Sequence, residues 1–175
     1  MIKTTVFGVA LGTIVLSSGA IATPVTNSTF TPISSHLSNT TVEIAASSID
    51  STAIEQSVFT QINNYRVSQG LAKLTRNSDI DTQARIHSKN MANGTVAFGH
   101  TGFTERVKAI GIPYNAAAEN VAYNQGYTDP ATTDVQGWLK SPGHLTNIKG
   151  NYEKTGIGVA TTSTGKVFLT QIFLR

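Results

Sequence analysis

The chain contains no cysteine, which excludes disulfides, thiolate metal ligands, a cysteine nucleophile and lipid attachment through a thiol. It is also poor in charge: Asp, Glu, Lys and Arg make up 13% of its 175 residues, and the formal net charge is only +3. No Lys/Arg cluster interleaved with aromatics occurs, so nucleic acid is not an expected partner. Lys73, Arg76, Arg85 and Lys89 are scattered in the manner of a solvated surface. The single tryptophan, Trp138, is expected to anchor a core rather than form a ligand platform. A His-Glu-x-x-His zinc helix, a phosphate loop and a dinucleotide glycine motif are all missing. Ser163-Thr164-Gly165-Lys166, Ser88-Lys89-Asn90 and Lys154-Thr155-Gly156 fit the three motifs of penicillin-binding enzymes. Their order is wrong, and the first falls in a hairpin turn instead of opening a helix.

The longest apolar run, Val6 to Leu16, is broken by glycine and threonine and is shorter than the roughly 20 residues of a membrane span. Preceded by Lys3 and followed by Ala20-Ile21-Ala22, it reads as a secretory signal peptide over 1–22. Lys3 is its one charge, so cleavage takes the formal charge from +3 to +2. Residues 23–53 are rich in Ser, Thr, Ala and Pro without a persistent period, the composition of a flexible tether. A folded domain is expected over 54–175. At roughly 120 residues it is long enough to stand on its core without disulfides.

In that domain, apolar residues at Val58, Phe59, Ile62 and Tyr65 predict an amphipathic helix ending near Gly70. A second helix is expected from Asp79 to Asn93, capped by Ser78, with Ile80, Ala84, His87 and Met91 on its buried face. His87 is expected to be structural there. A third, short helix runs from Thr104 to Ile110, and Ala118 to Tyr123 reads as a strand. Asp129-Pro130 opens a helix that places Val135 and Trp138 in the core and ends by Ser141-Pro142-Gly143. Thr155–Thr161 and Val167–Leu174 form a hairpin with Gly165 in its turn. The fold class is therefore α+β, with helices covering a small antiparallel sheet.

Three separate segments carry the residues suited to chemistry: Phe98-Gly99-His100-Thr101, Ala118-Glu119-Asn120, and Trp138 through Ser141-Pro142-Gly143-His144. Imidazole binds divalent metals or moves protons near neutral pH, and a carboxylate can share either task. His100, Glu119 and His144 form one candidate site if folding brings them together. The bland alternative is a buried polar network that holds helices to the sheet. Asn120 is expected to fix neighbouring backbone through its amide.

The order of these segments resembles the CAP superfamily (SCP domains), in its cysteine-free bacterial branch. The carriers are Ile62-Asn63-Asn64-Tyr65-Arg66 with Gly70 and Leu74, Phe98-Gly99-His100, Arg106-Val107 with Gly111, and Glu119-Asn120-Val121-Ala122. Trp138, Ser141-Pro142-Gly143-His144 and Gly156-Ile157-Gly158-Val159 complete the pattern. The resemblance implies an α-β-α sandwich and a cleft where two histidines and two acidic residues converge, sometimes around a divalent metal. His100 and His144 match the family's histidines and Glu119 its Gly-Glu-Asn carboxylate, with Ala118 replacing the glycine. No second carboxylate follows Trp138, so the tetrad is a triad and a metal such as zinc would be weakly held by His100 and His144.

Together these readings predict a secreted or cell-surface, non-catalytic binding module whose ligand is a lipid, a wall glycan or a protein. It would have no membrane span once the signal is cleaved. The alternative is a metal-assisted hydrolase, with His100 and His144 as ligands and Glu119 as general base. A third reading is a wall-associated domain whose polar triad serves only stability.

Overall fold

A computed structural model of the chain describes residues 50–175. The expected signal peptide and nearly all of the expected tether lie outside the described residues. Five helices and four strands follow in the order α1 (Ser51–Ser68), β1 (Thr75–Arg76), α2 (Ser78–Ala92), α3 (Phe103–Ala109) and β2 (Ala117–Gln125). They continue with α4 (Pro130–Lys140), α5 (Pro142–Ile148), β3 (Lys154–Thr161) and β4 (Lys166–Leu174). The sheet order is β1-β3-β4-β2. Its β2-β4 and β3-β4 pairs are antiparallel, and β1 pairs with β3 in parallel. The sheet is thus mixed rather than purely antiparallel. The two-residue β1 is too short to leave a period in the sequence.

Strand alternation sorts the side chains into two layers. Leu169 and Phe173 of β4 and Ile157 of β3 pack with Ile54, Val58 and Ile62 of α1 and with Val135 and Trp138 of α4. On the other face, Ile172 and Leu174 meet Ile80 and Ala84 of α2 and Val107 of α3. This is an α-β-α sandwich, with α1, α4 and α5 on one side and α2 and α3 on the other.

The helices start where the sequence supplies caps. Asp50 accepts from the amides of Thr52 and Ala53, so α1 opens ahead of Ile54. Asn77, rather than Ser78, caps α2 by accepting from Asp79 and Ile80. The expected buried face of α2 holds: Ile80, Ala84, His87 and Met91 are all buried. Pro142 was expected to end a helix, yet it also opens α5, because proline at the first helical position forfeits no bond.

Two glycines of β3 set the distance between α2 and the sheet. A Cβ on Gly156 would lie 2.3 Å from the Asp81 nitrogen, and one on Gly158 would lie 2.1 Å from the Arg85 nitrogen. The helix backbone therefore rests directly on the strand. From that position Asp81 accepts the amide of Ile157 at 2.8 Å, and Glu55 of α1 accepts that of Val159 at 3.3 Å. Arg76 and Arg85 neutralise the pair: Arg76 binds both Glu55 and Asp81, and Arg85 holds Glu55 at 2.8 and 2.6 Å. These two arginines, read from the sequence as scattered surface charge, are the counterions of a buried carboxylate. Glu55 is 2% exposed.

Candidate functional site

Glu119 lies in β2 with its side chain on the α2–α3 face, and it is buried. Arg106 of α3 donates from Nε to Oε2 at 2.9 Å, and from Nη2 to both carboxylate oxygens at 2.8 Å. Its Nη1 donates to the carbonyl of Thr101 at 3.1 Å, which ties the preceding loop to the same ion pair. His100, in that loop, places Nδ1 3.0 Å from Oε1 of Glu119. A carboxylate only accepts, so Nδ1 carries a proton and donates it to Oε1. Nε2 of His100 is buried and has no hydrogen-bond partner among the described residues.

His87 of α2 backs this cluster. Its Nε2 donates to the carbonyl of Gly99 at 2.8 Å and stands 4.0 Å from Oε1 of Glu119. Burial lowers its pKa, and the Arg106 charge adds to that, while the Glu119 charge opposes it. The ring is therefore neutral at pH 7 and holds the His100 loop through Gly99, the structural part expected of it.

His144 is in α5, not in a loop. It is buried, with its ring centroid 6.3 Å from that of Trp138. Its carbonyl accepts from Asn120 at 3.3 Å. Asn147 donates to the carbonyl of Glu119 at 3.2 Å and to Oδ1 of Asn120 at 2.9 Å. Trp138 adds an indole bond to the carbonyl of Val121 at 3.1 Å. The fixing role expected of Asn120 is thus exerted from within a strand, and it pins α5. His100 and Glu119 touch. His144 is joined to their strand through the helix that carries it.

Sequence reasoning gave Arg106 no role in the site. It also passed over Asp134 of α4, which is buried beside Asn124 and accepts from its amide at 2.9 Å. Burial pushes the pKa of Asp134 up to about 7 against that hydrogen bond. A signal for Asp134 was available, because it stands four residues before Trp138, on the helix stripe that faces the core.

The sequence profile of the cysteine-rich secretory protein family, CAP, matches residues 59–173. The chain belongs to the CAP family. Solved structures agree with the fold of this CAP domain. An extracellular protein containing an SCP domain from Bacillus anthracis is 26% identical, with a TM-score of 0.63, covering 71% of this chain and 41% of that one. A cysteine-rich secretory protein from Staphylococcus aureus is 21% identical, with a TM-score of 0.58, covering 73% and 40%. An outer surface protein from Borrelia burgdorferi is 18% identical, with a TM-score of 0.61, covering 73% and 96%. The alignment thus spans about two fifths of the first two relatives, 41% and 40% of their lengths. No curated protein sequence matches the chain. None of the helices among the described residues is long and apolar enough to cross a membrane.

The donor set of this CAP domain does not fit a metal at Glu119. Both carboxylate oxygens receive Arg106, so a divalent ion there would face a guanidinium. Among the described residues, no group of three or more His, Asp or Glu side chains is arranged to hold a metal ion. The same engagement weighs against Glu119 as a general base, which needs a lone pair directed at a substrate or water.

Proposed function

We propose that this chain is an extracellular CAP module that binds at a cell surface without catalysis, with His100, Glu119 and His144 as its site residues. The observation that carries this reading is the state of Glu119. An ion pair with Arg106 and a bond from His100 make the carboxylate a fixed brace, and the brace holds the His100 ring in one orientation. Such an arrangement keeps the imidazole and its loop preorganised for a polar ligand. Relatives described as extracellular or outer-surface proteins support the location. Within the ligand classes of lipid, wall glycan and protein, the surface favours a polar one. Among the described residues, the large exposed apolar residues, Val67, Ile86, Tyr114 and Tyr127, belong to α1, α2 and two loops rather than to one element that could offer a stripe to an acyl chain.

The test is calorimetric titration of the purified chain with soluble wall-glycan fragments, fatty-acid vesicles and surface-protein extracts. Saturable binding that weakens in His100→Ala, with an unchanged circular dichroism spectrum, is the expected result. Absence of saturable binding across the panel, or binding indifferent to His100, overturns the reading. Peptide, ester or glycan turnover lost in Glu119→Gln would instead establish the hydrolase.

A further inference from the structure

A recess containing none of His100, Glu119 and His144 lies between the end of α1, the segment leading into β1 and the α5–β3 loop. It encloses about 450 Å³, and Arg66, Lys73, Lys149, Asn151, Tyr152 and Glu153 are among its lining residues. Arg66 is 2% exposed. Its Nε donates to the carbonyl of Ala72 at 2.9 Å, and its Nη1 to those of Ile148 and Gly150 at 2.7 and 3.0 Å. All of these acceptors are neutral. Arg76 and Arg85 hold Glu55, and Arg106 holds Glu119, but Arg66 has no carboxylate partner among the described residues. Burial lowers its pKa, yet a guanidinium stays protonated in proteins.

A buried cation compensated only by dipoles retains most of its field, and a concave low-dielectric wall focuses that field into the recess. The fork is also incompletely used. Nη2 reaches the carbonyl of Tyr152 only at 3.5 Å, so that edge is the least engaged part of the fork. Lys73 and Lys149 are exposed on the rim, and Glu153 is the one acid in the lining. Three cations against one carboxylate match an anion of more than one charge. Guanidinium and ammonium groups together suit the dispersed oxygens of a phosphate group.

We propose that this recess is an oxyanion subsite for a phosphate group, free or esterified to a small polyol, with Arg66 as its buried cation and Lys73 and Lys149 as its rim contacts. Its volume lies within the range of small-molecule sites and leaves room for more than the phosphate itself. Phosphate would arrive from solvent, since the recess is open to it at both lysines.

The test is an NMR titration of the ¹⁵N-labelled chain at low ionic strength with inorganic phosphate, glycerol phosphate and acetate. Saturable shifts confined to amides of residues 71–75 and 149–153 are expected. Lys73→Ala and Lys149→Ala should each weaken phosphate by about fivefold, a charge contact in high dielectric. Salt at about 0.5 M should weaken it further by screening. Tighter binding of glycerol phosphate than of inorganic phosphate assigns the site to an esterified ligand, and equal binding assigns it to free phosphate. Acetate binding as tightly as phosphate, shifts spread over every surface lysine, or affinities unchanged in both lysine variants would overturn the proposal.

Discussion

Arg106 and Glu119 form a buried, two-toothed ion pair across the α3–β2 boundary, with three contacts between 2.8 and 2.9 Å. The side chains are 6% and 1% exposed, so each depends on the other for its solvation. Replacing Arg106 with leucine should strand the carboxylate and cost about 3–5 kcal/mol of stability. The double variant Arg106→Leu, Glu119→Leu should recover part of that loss. Urea unfolding of the four proteins of the cycle measures it. A single variant as stable as the parent would mean the pair is dispensable.

Gly158 and Gly165 make opposite demands on a methyl group. At Gly165 the hairpin turn needs φ +77°, and nothing lies near the added carbon. Alanine there should cost about 1–2 kcal/mol of backbone strain. Alanine at Gly158 would meet the backbone of α2, and it should cost about 3 kcal/mol or more, or prevent folding. Melting curves of the two variants give the order, which reverses if α2 can lift from the strand freely.

The pH dependence turns on Asp134. Burial raises its folded pKa to about 7 from the ordinary carboxylate value of 3.8. The folded state then binds more protons than the unfolded one between those limits. Stability from this group is present at low pH and falls as pH rises through the window. His87 acts the other way: its folded pKa is lowered, so its contribution is lost as pH drops below the ordinary histidine value. Asp134→Asn should therefore lie closer to the parent near pH 4.5, at the lower end of the window, than at pH 8, where it should exceed the parent by on the order of 1–3 kcal/mol more. Urea midpoints at the two pH values decide the matter. A variant less stable than the parent at pH 8 would contradict the sign.

Chelation should leave the protein unchanged. With Arg106 on both oxygens of Glu119, EDTA is expected to shift the melting temperature by less than about 1 °C. Added zinc should raise it no more than magnesium does. A zinc-specific rise that disappears in both His100→Ala and His144→Ala would restore the two-histidine site.

Much of the fold was legible because its long elements repeat a period. The buried face of α2 and the β3–β4 hairpin follow from spacing and turn residues alone. Elements that escaped have no period to show. The strand β1 has two residues, and α5 begins at a Pro-Gly pair that also reads as a stop. Within the site, His100 and Glu119 stood out by residue type, but Arg106 was marked only as part of the family pattern and had no role until its partner was placed. Glu55 and Arg66 did carry a mark: with Val58 and Ile62 they occupy one stripe of α1 at spacings of three and four. Charges inside an apolar stripe announce buried bonds, although they do not reveal which backbone groups will receive them.

The amides of Ile157 and Val159 are taken by Asp81 and Glu55, and the carbonyls of Glu119 and Val121 by Asn147 and Trp138. The stretch of β3 that runs past β1, and the outer edge of β2, are thereby closed to a visiting strand at these positions, by acceptors on one flank and donors on the other. A foreign peptide finds no template there for main-chain pairing, and neither does a second molecule at high local density. Any contact made along these two edges is thereby left to side chains.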